Sequence, residues 1–291
     1  MLWTEQITMT PDYLIDNSLA FLKEKGIETN RFELKLLLAA ALEIEPSSLP
    51  FYTADVNETA AKKFEKMVTR RAEGCPVDKI IGLKGFYKYD FVVNENVLSP
   101  RPETEIMVEK ALVLLKNIPS PRLLEFGIGS GCILLSVLKE LLQSRGIGID
   151  VSTKALTVAT QNAERLDVQN RLELKNISWF DAAADKLGDD SFDIIFSNPP
   201  YIPSAEIPLL DKEVRSFDPM VALDGGADGL KDYGRLSALA AKLLKKGGFL
   251  LFEIGEGQAD DVISQAQQQG LSIYERVKDL AQTERCIILK K

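Results

Sequence analysis

The sequence predicts an α/β protein: a largely parallel sheet ending in an antiparallel pair, preceded by a small helical bundle and a β-hairpin. Three observations carry this prediction. From Pro102 onward, short apolar runs alternate with helix-period segments, as strand–helix–strand crossovers require. The first eighty or so residues carry helical periodicity alone. Between them, residues 85–97 are dense in aromatic and β-branched side chains.

Taken in order, Leu14, Leu19, Phe21 and Leu22 recur at helical spacing, and so do Phe32, Leu36, Leu37 and Ala40. Pro46-Ser47-Ser48 and Pro50 interrupt, and an amphipathic segment over 57–71 turns Phe64, Met67 and Val68 to one side. The hairpin is read from Phe86, Tyr87, Tyr89, Phe91, Val92 and Val93, with Asn94 and Asn96 as turn residues. Strands follow at 122–127, 146–150, 172–175, 192–197 and 249–254. Helices fill the gaps: one opens near Ser130, one is capped by Ser152, and one runs over 233–244 until Gly247-Gly248 ends it. Residues 273–277 and 286–289 form two strands with no helix between them, an antiparallel edge pair. The chain thus divides into a helical domain over 1–83, a hairpin linker over 84–100 and an α/β domain over 101–291.

Composition excludes several classes of function. With 35 basic and 43 acidic residues among 291, the net charge is −8, so the chain gains nothing from counterion release at nucleic acid or at an anionic membrane. There is no histidine, which removes an imidazole base, a Ser-His or Cys-His pair and a histidine-ligated metal; no metal site is expected. Cys75, Cys132 and Cys286 lie far apart and fit a reducing cytosol. The start, Met1 to Glu5, lacks the basic and apolar regions of a leader. The longest apolar stretch, 34–44, is broken by Lys35 and Glu43 and is too short to span a bilayer. The expectation is a cytoplasmic monomer without direct nucleic-acid or membrane partners.

Three signals carry chemistry. The strand Leu123-Leu124-Glu125-Phe126 runs into Gly127-Ile128-Gly129-Ser130-Gly131 and then a helix, so bare backbone lies at a strand's carboxyl end where a ligand can approach. The alternative reading of this loop is a tight strand-to-helix turn without a ligand. The next strand ends at Asp150, about twenty residues on, where an acid can accept both ribose hydroxyls of an adenosine. The alternative there is an N-cap, which Ser152 could provide instead. The third strand opens directly into Asn198-Pro199-Pro200-Tyr201. Pro200 holds Pro199 extended and both prolines lack an N–H, so the Pro199 carbonyl is fixed beside the Asn198 side-chain carbonyl. Two acceptors and an aromatic ring form a receptor for a planar –NH2 group. Holding both of its protons favours pyramidalisation and stabilises the charge that grows as the nitrogen attacks a methyl group.

With these residues in view, the sequence resembles the HemK/PrmC family of S-adenosylmethionine-dependent N5-glutamine methyltransferases, which modify peptide chain release factors. The resemblance spans nearly the whole chain. It includes Gly74-Cys75-Pro76, Ile81-Gly82, the stretch from Val97 through Pro100-Arg101-Pro102-Glu103-Thr104-Glu105, Ala222-Leu223-Asp224-Gly225-Gly226, Asp228-Gly229-Leu230, Glu253-Ile254-Gly255 and Lys278-Asp279-Leu280. It implies a seven-stranded, Rossmann-like class I methyltransferase domain behind an N-terminal helical domain that grips the substrate protein, with the glutamine of a Gly-Gly-Gln loop as target. Carried over by position, Gly127, Ile128, Gly129, Ser130 and Gly131 would approach the methionine end of S-adenosyl-L-methionine, Asp150 would take the ribose and Trp179 would lie beside the adenine. Asn198 and Pro199 would accept from the substrate amide, with Pro200 completing the turn and Tyr201 packing on it. The chain departs from the pattern at Glu125 and Asp218, where an Asp and a Glu are common, at Ser178, where an acid is common, and at Ser99, which replaces a frequent apolar residue. An adenine amino-methyltransferase of DNA or RNA would use the same acceptor pair, but the charge of −8 and the absence of a basic run oppose it.

Overall fold

The computed structural model describes residues 9–181, 187 and 191–291; the stretch from Met1 to Glu5 read for a leader lies outside them. Two compact units emerge, one from residues up to Leu83 together with Asp211–Phe217, the other from Lys84–Leu210 with Asp218–Lys291.

The first unit is helical. Thr10, Asn30 and Asn57 each lend a side-chain oxygen to the first turn of a helix, opening α1 (Pro11–Glu24), α2 (Arg31–Leu42) and α3 (Glu58–Ala72). A short α4 (Val77–Ile81) ends at Gly82. Leu14, Leu22, Leu34, Leu37, Phe64 and Val68 lie in its core. The face of α2 differs from the one read above: Leu34, Leu37, Leu38 and Ala41 are buried and Phe32 is exposed. The run Leu36-Leu37-Leu38-Ala39-Ala40-Ala41 is apolar all round, so its pattern cannot say which stripe the neighbours cover. Asp211–Phe217, placed within 101–291 by the sequence reading, joins this unit. Phe217 packs on its core, Glu213 pairs with the buried Arg71 at 2.6 Å, and Lys79 Nζ donates to the Phe217 carbonyl.

The second unit begins with the hairpin β1 (Leu83–Phe86) and β2 (Tyr89–Val92). Its strands turn at Tyr87-Lys88, with Tyr87 at φ 57°. Asn94 and Asn96 make a separate turn after β2, Asn96 N–H donating to Asn94 Oδ1 at 2.9 Å. The hairpin is more than a linker: Phe86 and Phe91 are buried, and Asn162 binds both the N–H and the carbonyl of Val92.

The remainder alternates as expected: α5 (Glu105–Leu115), β3 (Arg122–Phe126), α6 (Cys132–Glu140), β4 (Arg145–Asp150), α7 (Thr153–Arg165), β5 (Leu172–Asn176), β6 (Phe192–Ser197), α8 (Lys212–Phe217, in the first unit), α9 (Tyr233–Leu243), β7 (Leu244–Glu253), α10 (Ala259–Gln267), β8 (Ser272–Lys278) and β9 (Glu284–Lys290). The sheet has seven strands in the order β5-β4-β3-β6-β7-β9-β8. β5 to β7 are parallel, and β9 runs antiparallel between β7 and the edge strand β8. Residues from α5, α6 and α7 bury one face and residues from α9 and α10 the other, which is why β6 is buried along its whole length.

Gly247-Gly248 does not end α9. Leu244 is already extended at φ −70°, ψ 140°, and the pair lies inside β7. Gly247 N–H donates to the Lys291 carbonyl at 2.9 Å, and a Cβ on Gly248 would come within 3.1 Å of the Phe192 and Asp193 carbonyls. These glycines serve close strand approach rather than a helix stop. Among the described residues no helix is long and apolar enough to cross a membrane.

Candidate active site

The carboxyl ends of β3, β4 and β6 converge on a cleft lined by Gly127–Ser130, Asp150, Trp179, Asn198 and Pro200 among others. A crevice beside adjacent parallel strands is where open α/β sheets bind ligands.

On the glycine side, Gly127, Gly129 and Gly131 all take positive φ. Gly127 N–H and Ile128 N–H both donate to the Ile149 carbonyl at 2.9 Å, tying the loop to β4. Gly131 does not line the cleft. It opens α6, and a Cβ there would sit 2.7 Å from Leu135. Gly131 offers no side-chain cap. Instead the buried Glu125 accepts from Leu134 N–H at 3.1 Å, in the first turn of α6. Burial raises the Glu125 carboxyl well above the usual range.

Asp150 Oδ2 accepts from Gly129 N–H at 3.0 Å and Oδ1 from Ser152 N–H at 2.8 Å. Helix α7 takes its cap from Ser152, whose Oγ accepts from Ala155 N–H at 3.2 Å, so capping does not account for Asp150. Burial raises its carboxyl, opposed by the backbone donors Ser152, Gly129 and Val151, and Asp150 lines the cleft. Trp179 lies against Gly127, where an added Cβ would be 3.1 Å from the indole, and its Nε1–H donates to Asp232 at 3.3 Å. The Ser99 hydroxyl is buried in the lining without a partner among the described residues. A bare glycine backbone, an acid in the lining, an aromatic wall and an unspent hydroxyl together fit an adenosine-bearing ligand.

On the other side, β6 ends at Ser197 and Asn198 lies half-buried in the lining. Among the described residues no backbone N–H donates to the Pro199 carbonyl. Pro199 and Tyr201 are not in the cleft lining; Tyr201 packs on the core. Burial pushes its phenol up, so the ring stays neutral and supplies no base. Behind the turn runs 222–229. Ile202 N–H donates to the Leu223 carbonyl at 3.1 Å, and Gly225 N–H returns to Ile202 at 2.9 Å. Gln258 Nε2 donates to the Tyr201 carbonyl at 2.9 Å. An added Cβ on Gly225 would reach Pro200 O at 2.7 Å, and on Gly229, at φ +76°, Tyr201 O at 2.3 Å. The glycines of that segment let one backbone support another.

Two residues given no role by the sequence reading complete this side. Glu253, at the end of β7, is 3 % exposed; Thr104 Oγ1 donates to it at 2.5 Å, and the neighbouring Asn198 side chain favours its charged form. Both lie in motifs quoted above, but nothing local in either motif links it to Asn198.

Comparison with known proteins agrees with this geometry. Residues 14–82 match the PrmC N-terminal domain and residues 119–283 a methyltransferase domain. The chain is 39% identical to a release factor glutamine methyltransferase of Rhodospirillum rubrum, over 99% of this chain and 87% of that one. It is 39% identical to one of Caulobacter vibrioides, over 92% and 91%, and 38% identical to one of Geobacter sulfurreducens, over 88% of each. Likeness over nearly the whole chain leads to one conclusion: the chain belongs to the release factor glutamine methyltransferases.

Proposed function

We propose that this protein methylates the side-chain amide nitrogen (N5) of a glutamine in a peptide chain release factor, the one in its Gly-Gly-Gln loop, with S-adenosyl-L-methionine as donor. The observation that supports this is Asn198, which follows directly on β6 and lines the cleft beside Gly127–Ser130 and Asp150, with the Pro199 carbonyl taken by no backbone N–H among the described residues. Gly127–Ser130 would hold the donor's methionine end, Asp150 its ribose and Trp179 its adenine. When bound, the donor supplies a methyl group on a positively charged sulfur.

The protein's task is to make a poor nucleophile attack. A carboxamide nitrogen shares its lone pair with the carbonyl. Asn198 Oδ1 and the Pro199 carbonyl accept its two N–H groups, which draws the nitrogen toward a pyramidal shape and stabilises its growing charge. Tyr201 packs the turn, and alignment in a fixed pose removes much of the entropic barrier, up to roughly 7–11 kcal/mol in well-oriented systems. Water can then take the surplus proton, so the lack of histidine is no obstacle. The segment matched by the PrmC N-terminal domain grips the protein substrate. The net charge of −8 supports a protein substrate over nucleic acid, and the work belongs in the cytoplasm, by a monomer. Incubation of the purified protein with methyl-labelled donor and release factor tests the reading: one labelled glutamine is expected, and no label despite demonstrated donor binding overturns it.

A further inference from the structure

We infer that Glu253 is a positioning residue for methyl transfer: anchored by Thr104, its carboxylate holds the Asn198 NH2 group and so keeps Asn198 Oδ1 turned toward the substrate. This rests on the function proposed above. The two ends of an asparagine amide have nearly the same shape and opposite hydrogen-bonding character. With its oxygen outward, Asn198 accepts from a substrate amide; flipped, it would set NH2 against NH2. An ionised carboxylate only accepts, so it selects the first orientation.

The structure provides this selector in a rigid form. Ser197 pairs with Phe252 in the β6–β7 ladder, so Asn198 and Glu253 are the next residues along two adjacent strands. The main chain at Glu253 is held by the Tyr233 hydroxyl, which donates to its carbonyl at 2.9 Å. Its side chain is held by Thr104, itself 2 % exposed. A buried carboxylate needs such donors, and beyond Thr104 the register sets the proposed substrate-binding group, Asn198, next to it. The Pro-Arg-Pro-Glu-Thr-Glu stretch thereby gains a purpose, delivering Thr104 to this pair.

A double-mutant cycle tests the inference, read as single-turnover methylation of release factor, with S-adenosylhomocysteine affinity and thermal midpoint recorded in parallel. Glu253→Gln can donate to Asn198 Oδ1 and so allow the flip. The rate should fall roughly 10- to 100-fold, within the range of coupling between contacting residues, while ligand affinity holds within about twofold. In an Asn198→Ala background the same change should cost less than about twofold, because nothing remains to orient. An equal penalty in both backgrounds, or an unimpaired Glu253→Gln, overturns the role. Should Glu253→Gln fail to fold, Thr104→Val carries the same cycle. Thr104→Ser should restore the rate, and a Ser variant as slow as Val overturns the role. If the wild-type protein labels no glutamine, the proposed function and this role fall together; labelling with an additive cycle removes the role alone.

Discussion

On one wall of the cleft, the glycine loop and Asp150 come from one short stretch of chain, Asp150 bonded to Gly129 only 21 residues away, and Ser99 and Trp179 are the additions from farther off. On the other wall, Asn198 depends on partners scattered along the sequence, with Thr104 reaching Glu253 across 149 residues and Gly229 and Gln258 meeting the backbone of Tyr201. The first wall is a local turn followed by a helix. The second is an assembly that exists only once the sheet has formed, so its parts read as unrelated motifs until folded.

This contrast sets what each substitution should do. Asn198→Ala should lower turnover on the order of 10²–10³-fold, as removal of one preorganised hydrogen-bonding group does elsewhere. S-adenosylhomocysteine affinity measured calorimetrically should hardly change. Asp150→Ala should do the reverse, weakening that affinity roughly 10- to 100-fold through lost charge-assisted hydrogen bonds while Asn198 stays in place. If either variant produced the other's signature, the division between the walls would fail. Gly229→Ala, with its Cβ driven toward Tyr201 O, should destabilise the protein by ~1–3 kcal/mol in denaturant titration and slow transfer as the turn shifts.

The smallest effect is a pH dependence. Burial pushes the Glu253 carboxyl up to about 7, although Thr104 and Asn198 pull it down. Of the groups around it, Arg285 favours its charge and Glu103 opposes it, while the Tyr201 and Tyr233 phenols and the Cys132 and Cys286 thiols are themselves pushed up and stay neutral. Its folded value exceeds its unfolded one, so between about 4.5 and about 7 the native state binds more protons and stability falls as pH rises. Activity should move the opposite way, because only the ionised form acts purely as an acceptor. Profiles of rate and of thermal midpoint should therefore cross near neutrality, and Glu253→Gln should flatten that segment of both.

The same contrast explains how much was legible beforehand. The parallel strands, the Gly127–Asp150 spacing and the Asn198–Tyr201 turn are short-range patterns; the fold brings Gly127–Ser130, Asp150, Asn198 and Pro200 to the cleft but leaves Gly131, Pro199 and Tyr201 out of its lining. The sequence does not fix the buried face of α2, because Leu36 to Ala41 is apolar all round. Gly247-Gly248 resembled a helix stop because a glycine pair in a strand looks the same locally; only the neighbouring strand and the Lys291 carbonyl distinguish the two. Asp211–Phe217 joins the helical unit through Glu213 and Phe217, single residues whose partners lie far away in sequence. Thr104 and Glu253 stand in quoted motifs, but nothing in the sequence joins them, because a threonine and a glutamate become a pair only in the folded protein.

The most direct measurement is fragment mass spectrometry of release factor incubated with this protein and a methyl donor, run beside a release factor whose loop glutamine is replaced. One methyl group on the side-chain amide of that glutamine, absent from the replaced protein, is the predicted result. A methyl group elsewhere on the factor, or equal labelling of both proteins, would contradict it.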